Sequence, residues 1–177
     1  MWLPLPIVGV GLLMASHLLT LPEPELKGLT LEGTGWRALH VIALKCGCSR
    51  QVLTHLLERG PAEHWTERIV LIGEDPVVES RARAAGFGFE SVTAATLEQR
   101  YGVQGAPLLV LVDAKGEARY AGGYARTANA APEDLALFRE VAATGHAEKR
   151  PLFGCAVSRS LQKKLDPLSL KYSFERP

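Results

Sequence analysis

The chain has 177 residues, of which 47% are apolar and 22% are charged. This length predicts one domain with an additional segment, and the composition excludes disordered and fibrous classes of protein. Twenty basic residues against nineteen acidic ones leave a net charge of +1, which argues against a nucleic-acid-binding protein. Three cysteines are too few for a disulfide scaffold and cannot all pair within the chain.

The N-terminal segment, residues 1–21, is apolar and contains no Asp, Glu, Lys or Arg. It is long enough to cross most of a bilayer core, and the Pro-Glu-Pro-Glu run at 22–25 ends it. We expect a membrane anchor or signal segment here, with a transmembrane helix, a cleaved signal peptide and a buried helix as open alternatives. Residues 22–35 are rich in Pro, Gly, Thr and Glu, which predicts a linker.

Strand and helix patterns alternate along the rest of the chain. Short β-rich apolar runs predict buried strands at 39–44, 69–72 and 108–112, and the turn after the third run predicts a hairpin strand at 118–121. Apolar residues at helical spacing predict four helices. The first follows Ser49 as its N-cap, the second begins at Pro76, the third spans 93–101 and the fourth begins at Pro132. This order predicts an α/β fold in which a mixed central sheet has helices on both faces.

These patterns divide the chain into four parts. We expect an anchor or signal segment over 1–21, a linker over 22–35, a domain over 36–147 and a C-terminal extension over 148–177. The extension contains a short basic helix at 160–165.

Two of the cysteines, Cys46 and Cys48, flank Gly47 between a predicted strand and a predicted helix. A thiol at a helix N-terminus lies near unpaired N–H groups and the positive end of the helix dipole, which favours the thiolate. Lys45 and Arg50 add positive charge nearby. A thiolate attacks disulfides and binds soft metals, so this pair indicates either dithiol–disulfide exchange or a Cu(I) site.

A second segment strengthens the first of these hypotheses. The strand, the Cys-Gly-Cys run and the helix resemble the redox motif of thioredoxin-like proteins, and residues 101–107 resemble the segment that carries the cis-proline of this family. The resemblance covers about residues 36–143 and implies a thioredoxin-like fold for the domain. It also implies that Pro107 is a substrate-docking cis-proline beside the cysteines and that Ala106 shapes this contact. The implied activity is thiol–disulfide exchange without a cofactor.

The apolar segment ahead of such a domain is similar to that of the membrane-tethered, extracytoplasmic TlpA- and ResA-type thioredoxins. The Cys-x-Cys-Ser-Arg run at 46–50 resembles a RedB-like redoxin subgroup. This resemblance implies a single anchor in the bacterial inner membrane with the soluble domain in the periplasm. The implied partners are protein thiols and disulfides together with a further redox protein.

The spacing of the cysteines departs from the Cys-x-x-Cys of the family, and Lys45 stands where the family has an aromatic residue. Closing a disulfide across three residues strains its geometry, and strained disulfides have more oxidising potentials. Gly47 tolerates the required backbone angles. We therefore expect a disulfide donor rather than a strong reductant. By position, Cys46 is expected to be the more exposed, attacking thiol and Cys48 its resolving partner.

The third cysteine, Cys155, belongs to the C-terminal extension and lies outside the minimal fold of the family. It is a candidate third thiol of the redox site. In the alternative Cu(I)-binding, metallochaperone-like function, Cys46, Cys48 and Cys155 are the candidate ligands. A plain buried cysteine is the third interpretation.

Overall fold

The computed structural model describes residues 20–24, 34–168 and 171–172. The predicted anchor over 1–21 lies outside these residues except for Thr20 and Leu21, which form a short strand. Of the predicted linker over 22–35, residues 25–33 also lie outside the described residues. In the ranges that are described, no helix has the length and apolar character needed to span a membrane.

Nine strands are present in the described residues, and five of them form the central sheet. The strands are β1 (Thr20–Leu21), β2 (Trp36–Ala43), β3 (Trp65–Ile72), β4 (Gly88–Val92), β5 (Gly105–Ala106), β6 (Leu108–Val112), β7 (Ala118–Gly122), β8 (Leu152–Phe153) and β9 (Cys155–Ala156). The sheet order is β4-β3-β2-β6-β7, in which β2, β3 and β4 are parallel while β6 and β7 are antiparallel to their neighbours. Sequence patterns did not predict β4, because its residues lack a continuous apolar run.

Five helices are described, and they cover both faces of this sheet. They are α1 (Gly47–Arg59), α2 (Pro76–Ala84), α3 (Ala94–Tyr101), α4 (Asp134–Thr144) and α5 (Arg159–Leu165). Buried residues of α1, α2 and α4 share one apolar cluster with the sheet, and those of α3 and α5 share the other. The mixed sheet with helices on both faces matches the thioredoxin-like fold class predicted from the sequence.

The start of α1 differs from the prediction. Cys46 is the N-cap residue, and the Ser49 side chain does not cap the helix. Instead, the Ser49 hydroxyl accepts a hydrogen bond from the Ala43 N–H at 3.1 Å, which closes the turn between β2 and α1. The prediction of Ser49 as N-cap is therefore wrong, because the helix begins three residues earlier and draws this side chain back onto the end of the strand.

The C-terminal extension packs on the rest of the domain. Its strand β8 pairs with β1, and β9 pairs with β5. Leu161 of α5 is 3% exposed and belongs to the same apolar cluster as Leu97 of α3. The extension therefore contributes both backbone pairing and buried apolar surface to the second face of the sheet.

A buried network of charges fixes the far end of α1. His40 lies on β2 with no exposed surface and hydrogen-bonds to Glu67 at 2.7 Å and to the Tyr124 hydroxyl at 2.8 Å. Arg59 forms ion pairs of 2.6 Å with both Glu67 and Asp134. Burial opposes ionisation of Glu67, but hydrogen bonds from His40 and Arg59 outweigh it and lower the pKa of Glu67 to about 2. The network ties α1 to β2, β3 and α4.

We predict that Leu161→Ala lowers the free energy of unfolding by about 2–4 kcal/mol, because it removes a buried side chain from the second apolar cluster. Leu165→Ala on the same helix is the control: this side chain is 36% exposed, so the expected loss is below about 1 kcal/mol. Urea denaturation of the full-length protein measures both. Equal, small losses would show that the extension does not contribute to the stability of the domain.

Candidate active site

The turn between β2 and α1 buries one of the two neighbouring cysteines. The Cys46 N–H donates to the Ala43 carbonyl at 3.0 Å, and Cys46 is only 1% exposed. Cys48, the second residue of α1, is half-buried. The expectation that Cys46 is the more exposed thiol is therefore wrong, because the tight turn directs its side chain into the apolar cluster below the helix.

The segment before β6 lies against the buried thiol. The Ala106–Pro107 peptide bond is cis. The Cys46 sulfur lies 3.7 Å from the Ala106 carbonyl oxygen, to which it donates a weak hydrogen bond when it is protonated. Residues separated by 60 positions in the sequence are therefore in contact at one end of the sheet.

The third cysteine reaches the same place through strand pairing. β9 is antiparallel to β5, and in this pairing Cys155 is the partner of Ala106. The half-buried Cys155 packs against the apolar cluster that contains Cys46, and its thiol lowers the pKa of Cys46. The structure thus brings together five of the predicted site residues, namely Cys46, Cys48, Ala106, Pro107 and Cys155.

Hydrogen bonds to sulfur favour a thiolate at Cys46. The hydrogen bond from Cys155 is the largest cause that lowers the pKa of Cys46, and hydrogen bonds from the backbone and side chain of Ser49 lower it further. Burial raises this pKa, but the net effect lowers it to about 6. The pKa of Cys48 is raised by burial and by the negative charge of Cys46. The pKa of Cys155 is raised because its S–H donates to Cys46, and burial adds to this effect. At neutral pH the site therefore contains one thiolate beside two protonated thiols.

The auxiliary residues that the sequence indicated contribute less than expected. Lys45 and Arg50 are exposed, and the Arg50 guanidinium donates to the Leu44 carbonyl at 3.5 Å. A Cβ added at Gly47 would meet no atom of the described residues within 4 Å, so the geometry of the free thiols does not require glycine there. The cation that lowers the pKa of both Cys48 and Cys155 is Lys171 of the extension, which sequence reasoning missed.

A small cleft opens beside the more exposed thiol. Its lining includes Cys48, Gln51, Pro107, Tyr124 and Phe153. Its cavity volume of about 40 Å³ is well below the roughly 300–1,000 Å³ of pockets that enclose small-molecule ligands. The cleft is therefore too small to enclose a small-molecule ligand.

Among the His, Cys, Asp and Glu residues whose positions are described, no group of three could hold a metal ion.

Comparison with known proteins identifies similar folds. No protein-family model and no curated protein matches the sequence. A hypothetical protein from Sinorhizobium meliloti is 14% identical with a TM-score of 0.53, over 79% of this chain and 96% of its own. An uncharacterized conserved protein from Geobacillus kaustophilus is 11% identical with a TM-score of 0.53, over 80% and 91%. A secreted Mycobacterium tuberculosis disulfide oxidoreductase homologous to E. coli DsbE is 18% identical with a TM-score of 0.43, over 62% and 81%. At these identities the likeness concerns the fold.

We predict that replacing Cys155 changes the ionisation of Cys46 in a way that depends on the new side chain. In a Cys48→Ser background, Cys155→Ala removes the hydrogen-bond donor, so the pKa of Cys46 should rise from about 6 by roughly one unit or more. Cys155→Ser keeps an O–H donor and should raise it less. The ultraviolet absorbance of the thiolate, followed against pH, measures the midpoint. An unchanged midpoint in the alanine variant would contradict the assigned hydrogen bond.

Proposed function

We propose that this protein is a thiol–disulfide oxidoreductase that exchanges disulfides with other proteins through Cys46 and Cys48, beside Pro107. The observation that carries the proposal is a buried sulfur whose pKa is lowered to about 6, in contact with the Ala106 carbonyl and with a second thiol. A pKa below neutral keeps Cys46 as a thiolate, which can take the proton of Cys48 in the first step and attack the mixed disulfide in the second. The argument rests on this chemistry, because a fold alone does not define an activity.

Access favours Cys48 as the thiol that meets the substrate. Cys46 is 1% exposed, so a protein disulfide cannot reach its sulfur, whereas Cys48 is half-buried and lines the cleft next to Pro107. This order is the reverse of the one expected from the sequence. Pro107 would then serve as the docking residue for the segment of the substrate on either side of its cysteine.

The exchange proceeds in two steps. Cys48 attacks a substrate disulfide while its proton passes to the neighbouring Cys46 thiolate, giving a mixed disulfide and one substrate thiolate, which takes a proton from solvent. Cys46 then loses its proton and attacks the Cys48 sulfur, forming a Cys46–Cys48 disulfide and releasing the second substrate thiolate. Two electrons pass from the dithiol to the substrate, and the reverse reaction oxidises a substrate dithiol. The electrons come from a partner protein, so no cofactor is needed.

The proposal also includes an extracytoplasmic location at the bacterial inner membrane. It is supported by the apolar run over residues 1–21, which contains no Asp, Glu, Lys or Arg and precedes the linker and the domain. An oxidising compartment suits a dithiol that accepts and donates disulfides.

We predict that Cys46→Ser traps a mixed disulfide and that Cys48→Ser does not. In Cys46→Ser, the accessible Cys48 attacks more slowly, because no Cys46 thiolate takes its proton, but no Cys46 thiolate resolves the complex either. Cys48→Ser has lost the thiol that meets the substrate. The probe is a peptide that contains a single disulfide, incubated with the full-length protein, and intact-protein mass spectrometry measures the adduct.

Capture by the Cys48→Ser protein alone would show that Cys46 is the attacking thiol. If neither variant captures the peptide and the wild type loses no thiols, the exchange function is wrong. Tight Cu(I) binding by the wild type in that case would favour the metal-binding alternative.

A further inference from the structure

Backbone contacts hold Cys155 in a defined position. In addition to the β5–β9 pairing, the Val157 N–H donates to the Gln104 carbonyl at 2.8 Å. The Ala156 N–H donates to the Tyr172 hydroxyl at 3.0 Å. Cys155 is therefore anchored by hydrogen bonds on its C-terminal side, and its thiol does not depend on a freely moving tail to reach the site.

The approach of this strand is unusually close. A Cβ added at Gly154 would lie 2.0 Å from the Ala106 carbonyl oxygen, so only glycine permits the two backbones to meet there. The same carbonyl accepts the hydrogen bond of Cys46. One oxygen atom is thus shared by the segment that carries Cys155 and by the side chain of Cys46.

The geometry of the Cys46–Cys48 pair is less suited to a stable disulfide. Cys46 is the N-cap of α1 and Cys48 is the second helical residue. A disulfide between them would close across only three residues, which strains its geometry. Cys155, in contrast, approaches Cys46 from a separate strand, and its direction is not fixed by the helix.

We propose that Cys155 is a third redox thiol of the site and that oxidation of the protein ends in a Cys46–Cys155 disulfide. This inference rests on the proposed exchange function, to which it adds a final step. The Cys46–Cys48 disulfide formed by the substrate is then an intermediate, and Cys155 converts it into a less strained product.

The added step is an internal exchange. The Cys155 sulfur attacks the Cys46 sulfur of the Cys46–Cys48 disulfide, the bond between Cys46 and Cys48 breaks, and a bond between Cys46 and Cys155 forms. The Cys155 proton passes to the departing Cys48 sulfur, which becomes a thiol again. No electrons enter or leave, because the two electrons were already delivered to the substrate disulfide. A partner dithiol reduces the Cys46–Cys155 disulfide and restores the free thiols.

The charges around Cys155 favour this step only after Cys46 has been oxidised. While Cys46 is a thiolate, the hydrogen bond to it and burial keep Cys155 protonated. Once Cys46 forms a disulfide, its negative charge is gone and Cys155 no longer donates to it. Burial still raises the pKa of Cys155, and the positive charge of Lys171 opposes it. Oxidation of Cys46 therefore makes Cys155 a better nucleophile than it is beside the Cys46 thiolate.

Disulfide mapping tests this proposal directly. The full-length protein is equilibrated with oxidised glutathione, free thiols are alkylated in acid, and tryptic peptides are analysed by mass spectrometry. Cleavage after Lys45, Arg50, Lys149 and Arg159 separates residues 46–50 from 150–159. A Cys46–Cys155 bond joins these two peptides, whereas a Cys46–Cys48 bond lies within one of them. We expect the joined form to exceed the other by on the order of tenfold.

Two variants identify the atoms that are bonded. Cys48→Ser should still give the joined peptides after oxidation with the small reagent diamide, while Cys46→Ser should lose them. Predominance of the Cys46–Cys48 bond in the wild type, with Cys155 alkylated, would overturn the proposal. So would joined peptides that persist in Cys46→Ser and disappear in Cys48→Ser, because Cys48 would then be the partner.

The Cys155→Ser variant separates this inference from the proposed function. If both are correct, it still forms a Cys46–Cys48 disulfide, but its equilibrium with glutathione shifts toward the reduced form by on the order of tenfold. If exchange occurs without Cys155, the variant has the same equilibrium with glutathione as the wild type. In that case the inference about Cys155 is wrong while the proposed function stands. If the proposed function is wrong, glutathione oxidises neither protein and both tryptic peptides are recovered fully alkylated.

Discussion

The antiparallel pairing of β9 with β5 is the constraint on which the chemistry of the site depends. It places Cys155 opposite Ala106, and from there the Cys155 thiol can donate to the buried sulfur of Cys46. Burial alone would raise the pKa of that sulfur, so a thiolate in an apolar cluster requires donors around it. The pairing supplies the strongest of them, and Gly154 allows the backbones to approach closely enough.

The rest of the fold positions Cys46, which is the partner of Cys155 in this contact. The turn after β2 and the hydrogen bond from the Ala43 N–H to Ser49 direct Cys46 below the start of α1. At the opposite end of α1, Arg59 pairs with the buried carboxylates of Glu67 and Asp134. The helix is therefore fixed at both ends, and Cys48 remains half-buried at the cleft. Cys46 is stabilised as a thiolate, and we propose that the neighbouring Cys48 meets the substrate.

Much of the fold followed from the sequence, because apolar periodicity determines which residues are buried. The third buried strand, 108–112, was predicted with its observed bounds, the second helix with its observed start, and the third helix to within one residue at each end. The site was predicted less completely. The Cys46 and Cys48 positions came from local spacing, but the reversal of their exposure depends on a tertiary turn. The β5–β9 register and the role of Lys171 cannot be predicted from local sequence patterns, because both arise from contacts between distant segments.

The central claim is that the site carries out reversible two-electron exchange, and equilibration of the full-length protein with glutathione mixtures tests it most directly. A Cys46 thiolate that is stabilised in the reduced form makes the disulfide easier to reduce. We predict a single two-electron transition in which two thiols are lost, with a potential less negative than the roughly −270 mV of thioredoxin. The absence of any such transition across all mixtures, with all three cysteines still free, would contradict the account.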